Sequence, residues 1–374
     1  MERRYDIKRL GIFVFYDAVG KVDLYVEKLL QSILPELNKL VIVVNGKLLN
    51  EEKQKLKKYS SSIFIRENIG FDAGAYKDAF LFFLSDEDWE QWNEVVLFND
   101  TFYGPIFPWN RVWRRMSGEK KASFWGLSRY LKSNEKKCDY PNHIQSYFLV
   151  CRRELILSRY FWDFWKKLEY PMSRLEATEN FEIYFSTYFE EKGFESIAYI
   201  DVCEAAKQFT SKGSLYYEKA YELLNTLQFP IVKRKALSVV NSIEAQQTLV
   251  YINEQTDYDI KFICVHLKRL AEENRIGLFN PIRLKHFYST HKKIYIFGYG
   301  KYGKNVAAYF DYRNWIYEGF IVSEKHDDDP QIFCYSNVKF ECTDGIILAL
   351  GQKALNEVYP KVSQNLEPGQ LFLP

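Results

Sequence analysis

No C-x-x-C pair occurs anywhere in this chain. Its six cysteines, Cys138, Cys151, Cys203, Cys264, Cys334 and Cys342, stand singly, which argues against a zinc ribbon or a thiol redox motif and reads as buried thiols in a reducing compartment. Charge of one sign is also missing. With 51 basic and 49 acidic residues the formal net charge is only +2, so nothing advertises nucleic acid as a partner. Long apolar runs are absent: the strongest, at 79–84, falls far short of the roughly 20 residues that cross a bilayer. The opening MERRYDIKRL lacks the apolar segment of a secretory signal. Repeats and low-complexity segments are lacking as well. These absences predict a cytoplasmic protein, with attachment to the inner face of the cell membrane left open.

What is present describes a globular chain, 47% hydrophobic and 27% charged. At 374 residues it exceeds what one core usually organises, which predicts two domains or one domain with an appendage. Aromatic residues make up 17%, enough for stacking on sugars or contact with a lipid interface, though a ring-rich core is the simpler reading. Two stretches mix bases with tryptophan, NRVWRRM (110–116) and SRYFWDFWKKLEY (158–170). They suit peripheral contact with an anionic membrane, or, for Trp162 and Trp165, simple packing.

The first half alternates strand and helix patterns. LGIFVFYD (10–17), LVIVVNGK (40–47), SIFIREN (62–68) and VVLFND (95–100) read as strands, and the intervening helical spacings, 50–58 and 74–84 among them, imply a mostly parallel sheet flanked by helices. Further strands are predicted at 124–129 and 146–155. A helix over 179–192 should stop at Gly193, with the strand SIAYIDV after it. Residues 215–275 look helical. KKIYIFGYGKYGKNVAAYF, WIYEGFIVSE and GIILALG then outline a small Rossmann-like α/β domain after a connector near Pro281. The expected domains are 1–237, a helical connector 238–290 and 291–374.

Ligands of such sheets collect at the carboxyl ends of the strands. There ENIGFDAGAY (67–76) offers Gly70 and Gly74 for a tight turn, and Asn68 and Asp72 for a base, a ribose or a phosphate-bound cation, unless it is only an Asx turn capping a helix. VVLFND ends in Asn99 and Asp100, a carboxylate able to hold the cation that neutralises a diphosphate, or else an ordinary turn former. His143 is open to a metal, the diphosphate or the acceptor, or is a surface histidine. Lys233 and Arg234 are suited to a departing diphosphate, though such pairs are usually solvated.

ENIGFDAGAY, LFNDTFYGP, FWGLSR and HIQSYFLV, in that order, resemble the rhamnan synthesis protein F family of glycosyltransferases, within the GT-A class, over about residues 10–237. The resemblance implies a GT-A-like nucleotide-binding sheet, a divalent cation (Mg or Mn), a donor such as dTDP-rhamnose, and a cell-surface polysaccharide or lipid-linked glycan as acceptor. Asp17, Asn68 and Asp72 would surround the nucleotide, and Asp100 would stand for the last acid of a D-x-D motif. Phe98-Asn99-Asp100 departs from that motif in carrying one carboxylate, which puts metal dependence in doubt. Glu182 resembles the acid that opens a helix ending in Gly in GT-A enzymes, and would be the base of an inverting transfer. Its rival role, shared with Glu179, is that of a first-turn acid favoured by the helix dipole.

The C-terminal Gly298, Gly300 and Gly303 form G-x-G-x-x-G between a strand and a helix, with Glu324 after the next strand. Accessory nucleotide binding and packing are equally open. Two rival functions follow: an NAD(P)-dependent enzyme centred on these glycines, and a non-catalytic scaffold of polysaccharide assembly.

Overall fold

The computed structural model describes residues 7–130, 140–201, 215–238, 243–272, 281–324 and 329–373. Cys138, Val202, Cys203 and residues 1–6, 239–242 and 273–280 lie outside them. The chain forms two compact units, one of residues 1–216 with 222–234 and the other of 217–221 with 235–374.

The first unit is built on a mixed eight-stranded sheet. Strands β1 (Arg9–Phe15), β2 (Lys39–Asn45), β3 (Ser62–Arg66) and β4 (Glu94–Asn99) are parallel, in the order β3-β2-β1-β4. Every residue of β1 and β4 is buried, as their unbroken apolar runs require when both faces are covered. A short β5 (Phe102–Tyr103) follows. Beyond β4 the sheet turns antiparallel: β6 (Phe124–Tyr130), β7 (His143–Ile144) and β8 (Phe148–Arg152) continue it in the order β8-β6-β7, with β8 running against β4. β9 (Ser196–Ile200) pairs in parallel with β6, and β10 (Val232–Lys233) pairs with β5. The expected strand over 146–155 is shorter, because Arg153–Ile156 turns into a helix.

Helices α1 (Leu24–Ile33), α2 (Asn50–Lys57), α3 (Phe71–Asp78) and α4 (Trp109–Gly118) cover the sheet. The aromatic excess is largely core. Phe80, Phe161, Trp165, Phe181, Phe185 and Phe189 share one buried cluster, with Phe80 and Phe161 edge to face at 5.0 Å; each such pair contributes about 0.5–1.5 kcal/mol beyond its buried area. Trp109, Trp113 and Trp165 are buried and Trp162 packs against the same cluster, so the tryptophans of both basic stretches serve packing. Of the four cysteines among the described residues, Cys151 is buried as expected, but Cys264 and Cys334 are partly exposed and Cys342 is exposed in the turn that enters a strand.

The second unit carries a parallel sheet of β11 (Lys293–Phe297), β12 (Gly319–Val322), β13 (Ile332–Cys334), β14 (Asp344–Leu348) and β15 (Leu371–Phe372), ordered β13-β12-β11-β14-β15. That is the doubly wound pattern. The helices expected as a separate connector belong to it: Val250, Leu284 and Phe287 share a core with Ile294 and Ile296.

Gly74 is expected both in the tight turn and as the first residue of a helix. It lies inside α3 rather than in a turn, and a Cβ there would meet the Ile69 carbonyl oxygen at 2.4 Å and the Tyr170 ring at 2.9 Å. Gly74→Ala should therefore destabilise the fold by about 1–3 kcal/mol despite alanine's better helix propensity, whereas Gly118→Ala, with nothing within 4 Å of its added carbon, should not. Denaturant midpoints of the two variants check this, and equal midpoints would reject it.

Candidate functional site

Every rim element of the site descends from the sheet order. Parallel strands put Asp17, Asn45, Arg66 and Asn99-Asp100 at one edge. Because β8 is antiparallel to β4, with Phe98 opposite Phe148, the start of β8 reaches that same edge, and the Asn99 amide donates to the Tyr147 carbonyl at 3.2 Å. β10 is tied on by its pairing with β5 and by the Arg234 amide donating to the Thr101 carbonyl at 3.0 Å.

Asp100 sits at the centre, buried. Its Oδ2 accepts from Arg234 Nη1 at 2.6 Å and from the Tyr25 hydroxyl at 3.2 Å, and its carbonyl accepts from the same two groups at 3.0 and 3.2 Å. Arg234 also donates to the Tyr25 oxygen at 2.7 Å. Burial pushes the Asp100 carboxyl above its usual range, and Arg234 and Tyr25 pull it back without cancelling the rise.

Asp72, in the first turn of α3, accepts from Asn99 Nδ2 at 2.6 Å, while Asn99 Oδ1 takes the Thr101 amide and hydroxyl at 3.1 and 2.6 Å. Burial, then the like charge of Asp100, lift the Asp72 carboxyl to about 7, against the pull of Asn99 and Lys233. Lys233 is buried with its ammonium 3.3 Å from the Tyr147 ring centroid, a close cation–π contact. Burial brings it down to about 7, although Glu182 and Asp72 oppose the fall. Two buried groups brought to about 7 within electrostatic reach of each other make this rim the candidate site.

Glu182 lies in a π-helical turn, Thr178–Ile183, within a helical run that begins at Arg174 after the Ser173 cap. It is about two turns in, so the first-turn dipole role does not apply to it. The run continues as Tyr184–Glu191 and ends at Gly193, whose φ is +87°; the amides of Gly193 and Phe194 donate to the Glu190 and Phe189 carbonyls, a Schellman stop. Glu182 Oε2 accepts from the Ser146 amide and hydroxyl at 2.8 and 2.7 Å, and Oε1 faces His143 Nε2 at 3.4 Å. Burial opposes its charge, but the His143 and Ser146 contacts outweigh it and hold the carboxyl below its usual range. His143 itself is buried on β7, stacked on Tyr130 at 5.0 Å, its Nδ1 2.8 Å from the Pro141 carbonyl. Both ring nitrogens face acceptors, and the ring can donate to both only with a proton on each.

The other sequence candidates are placed differently. Asp17 is buried and its Oδ1 accepts from the Val19 and Lys21 amides at 3.0 and 3.1 Å, an Asx turn that keeps the residue within electrostatic reach of Asp100. Asn68 is exposed beside Gly46 and the half-exposed Tyr16. Gly70 caps α3 with φ +76°. Arg66 braces this loop, bonding Asn45, Ile69 and Asp78. In the second unit Gly298 has φ +113°, and a Cβ on Gly303 would lie 1.7 Å from the Gly298 carbonyl oxygen, so the third glycine allows helix and strand to touch. Gly300 caps the helix Lys301–Tyr312, and Glu324 is exposed just after β12.

Residues that the sequence reading did not single out complete the site. Tyr25 reads as one more apolar position on the buried face of α1. Ser146 and Tyr147 lie within the quoted HIQSYFLV. Tyr76 closes ENIGFDAGAY; its buried hydroxyl has no partner among the described residues and is within electrostatic reach of Asp72 and Asp100. Among the described residues no three His, Cys, Asp or Glu groups converge as a metal would need, and none of the described helices is long and apolar enough to cross a membrane.

A family model for rhamnan synthesis protein F matches residues 40–297. The chain belongs to the rhamnan synthesis protein F family. The match covers more than half of its length, as the ordered motifs implied. Among curated proteins, the uncharacterized protein y4gN of Sinorhizobium fredii is 25% identical over 186 residues, which span 50% of this chain and 46% of that one, so this family member aligns with less than half of that relative. Solved structures similar to it include a 4-diphosphocytidyl-2C-methyl-D-erythritol synthase from Anaerococcus prevotii (12% identity, TM-score 0.34, 51% of this chain and 89% of that one). Glucosyl-3-phosphoglycerate synthase from Mycobacterium tuberculosis with Mn2+, UDP and glucosyl-3-phosphoglycerate gives 11%, 0.26, 40% and 58%. Core-mannan synthase A from Aspergillus fumigatus, in an Mn/GDP form, gives 8%, 0.23, 42% and 63%. At these scores the likeness does not extend to what the chain binds.

The two shifted groups predict opposite pH limbs. From the ordinary 3.8 up to about 7 the folded chain keeps an Asp72 proton that the unfolded chain has lost, so stability falls as pH rises. From about 7 to the ordinary 10.5 the folded chain has lost a Lys233 proton that the unfolded chain keeps, so stability rises. Asp72→Asn should remove the first limb and Lys233→Met the second. Denaturation of the wild type and both variants across pH measures this, and curves parallel to the wild type would refute it.

Proposed function

We propose that this chain is an inverting glycosyltransferase that moves a sugar, of the dTDP-rhamnose kind, from a nucleoside diphosphate to a hydroxyl of a growing cell-surface polysaccharide or lipid-linked glycan. The observation that carries the reading is the group of charges gathered at one sheet rim: Glu182 and Lys233, both within electrostatic reach of Asp72, which in turn reaches Asp100, the ion-pair partner of the half-buried Arg234. Membership of a family described by rhamnan synthesis supports the same class of chemistry.

In the transfer, the acceptor oxygen attacks the anomeric carbon of the sugar. The new C–O bond forms as the bond from that carbon to the diphosphate oxygen breaks, the electron pair leaves with the diphosphate, and the acceptor proton passes to Glu182. A base held below its usual range is weak, but it takes its proton only as the hydroxyl bonds to a carbon of oxocarbenium character, which acidifies that hydroxyl. Ser146 and His143 fix the orientation of the carboxylate, and Lys233 offsets the charge that develops on the diphosphate. Asp17, Asn68, Gly70 and Asn99 line the strand ends where the nucleotide would rest.

Glu182→Gln should lower turnover of the best donor in a nucleotide-sugar panel by about 10²–10⁴-fold while leaving donor affinity, measured calorimetrically, unchanged. Full turnover in that variant would remove Glu182 as the base.

A further inference from the structure

We propose that Arg234 is a tethered cation, occupying at Asp100 the place a divalent metal would take and receiving the donor's diphosphate without one. The inference rests on the glycosyltransferase reading and adds how that site handles charge.

The acids of the rim are already engaged. Asp100 Oδ2 holds Arg234 at 2.6 Å and Tyr25 at 3.2 Å, Asp72 Oδ2 holds Asn99 at 2.6 Å, Glu182 holds Ser146 and faces His143, and Asp17 Oδ1 closes its own turn. A metal at Asp100 would have to displace a guanidinium from its shortest contact, with a single carboxylate where D-x-D offers two, and no set of three suitable groups is present among the described residues. The donor set therefore does not fit a resident metal ion.

Arg234 does fit an anion. Its contacts with Asp100 and Tyr25 are all made through Nη1, which leaves the Nε and Nη2 edge, a fork matched to two phosphate oxygens. Its backbone is fixed by the amide bond to Thr101, the residue after Asp100, so the guanidinium is held by both ends beside the acid. Lys233 precedes it in the chain and is buried over Tyr147, a second basic group beside it. The orphaned hydroxyl of Tyr76, buried beside Asp72 and Asp100, supplies a further donor.

Calorimetric titration of the full chain with dTDP, UDP, GDP and their sugar conjugates, in excess EDTA and in excess MnCl2, tests this. The nucleotide that binds best should do so with the same affinity, within about twofold, in both. Arg234→Ala should lose about tenfold or more in EDTA and, with Asp100 freed, should recover affinity with Mn2+ and immobilise the ion in its electron paramagnetic resonance signal. Wild-type binding that requires the metal would overturn this inference alone, and needs no variant to be folded. Arg234→Ala binding as tightly as wild type in EDTA would also overturn it. No binding in either condition would overturn the donor reading and this inference with it.

Discussion

The antiparallel pairing of β8 with β4 is the constraint from which the rest of the site follows. A wholly parallel sheet would place at its carboxyl rim only residues that follow strands, here Asp17, Asn45, Arg66 and Asn99-Asp100. Reversing one strand brings a segment that precedes a strand to the same rim, and that segment carries His143, Ser146 and Tyr147. Ser146 then orients Glu182, and the Tyr147 ring receives Lys233. One reversal thus joins two segments of the rim through the backbone bond between Asn99 and Tyr147.

The two edges of the sheet use charge differently. At the amino-terminal edge Glu94 is held by Arg9 at 2.6 Å and approached by Arg152 at 3.5 Å, with Arg9 also stacked over Trp113. That cluster has opposite charges in contact. At the carboxyl edge, burial raises the Asp72 and Asp100 carboxyls and lowers the Lys233 ammonium.

Much of this was legible from residue order. The β1, β2 and β4 runs are continuous and apolar, so their ends, and hence Asp17 and Asp100, could be placed to within a residue or two. The stop at Gly193 was legible because only a left-handed position explains a glycine there. Other features depend on contacts between distant residues. Lys233 and Arg234 look solvated in isolation; they are drawn in by a two-residue strand pairing with β5, about 130 positions earlier in the chain, which no local pattern records. Tyr25 is indistinguishable from its apolar neighbours on α1 until its hydroxyl is seen against Asp100. Gly74 reads as a turn residue because the close approach that excludes a side chain comes from Ile69 and Tyr170. The helical run carrying Glu182 starts earlier than its apolar spacing indicates, since the Ser173 cap precedes a polar first turn.

The π-helical turn at Thr178–Ile183 has an evolutionary consequence. Such a turn is an α-helix with one residue inserted, and each residue advances a helix by about 100°. Deleting a single residue between Glu182 and Phe185 would restore regular winding and swing the carboxylate roughly a quarter-turn off Ser146, without disturbing the hydrophobic stripe that follows. A lineage could thus lose or regain the acid's aim through one indel, with its fold and its glutamate both retained.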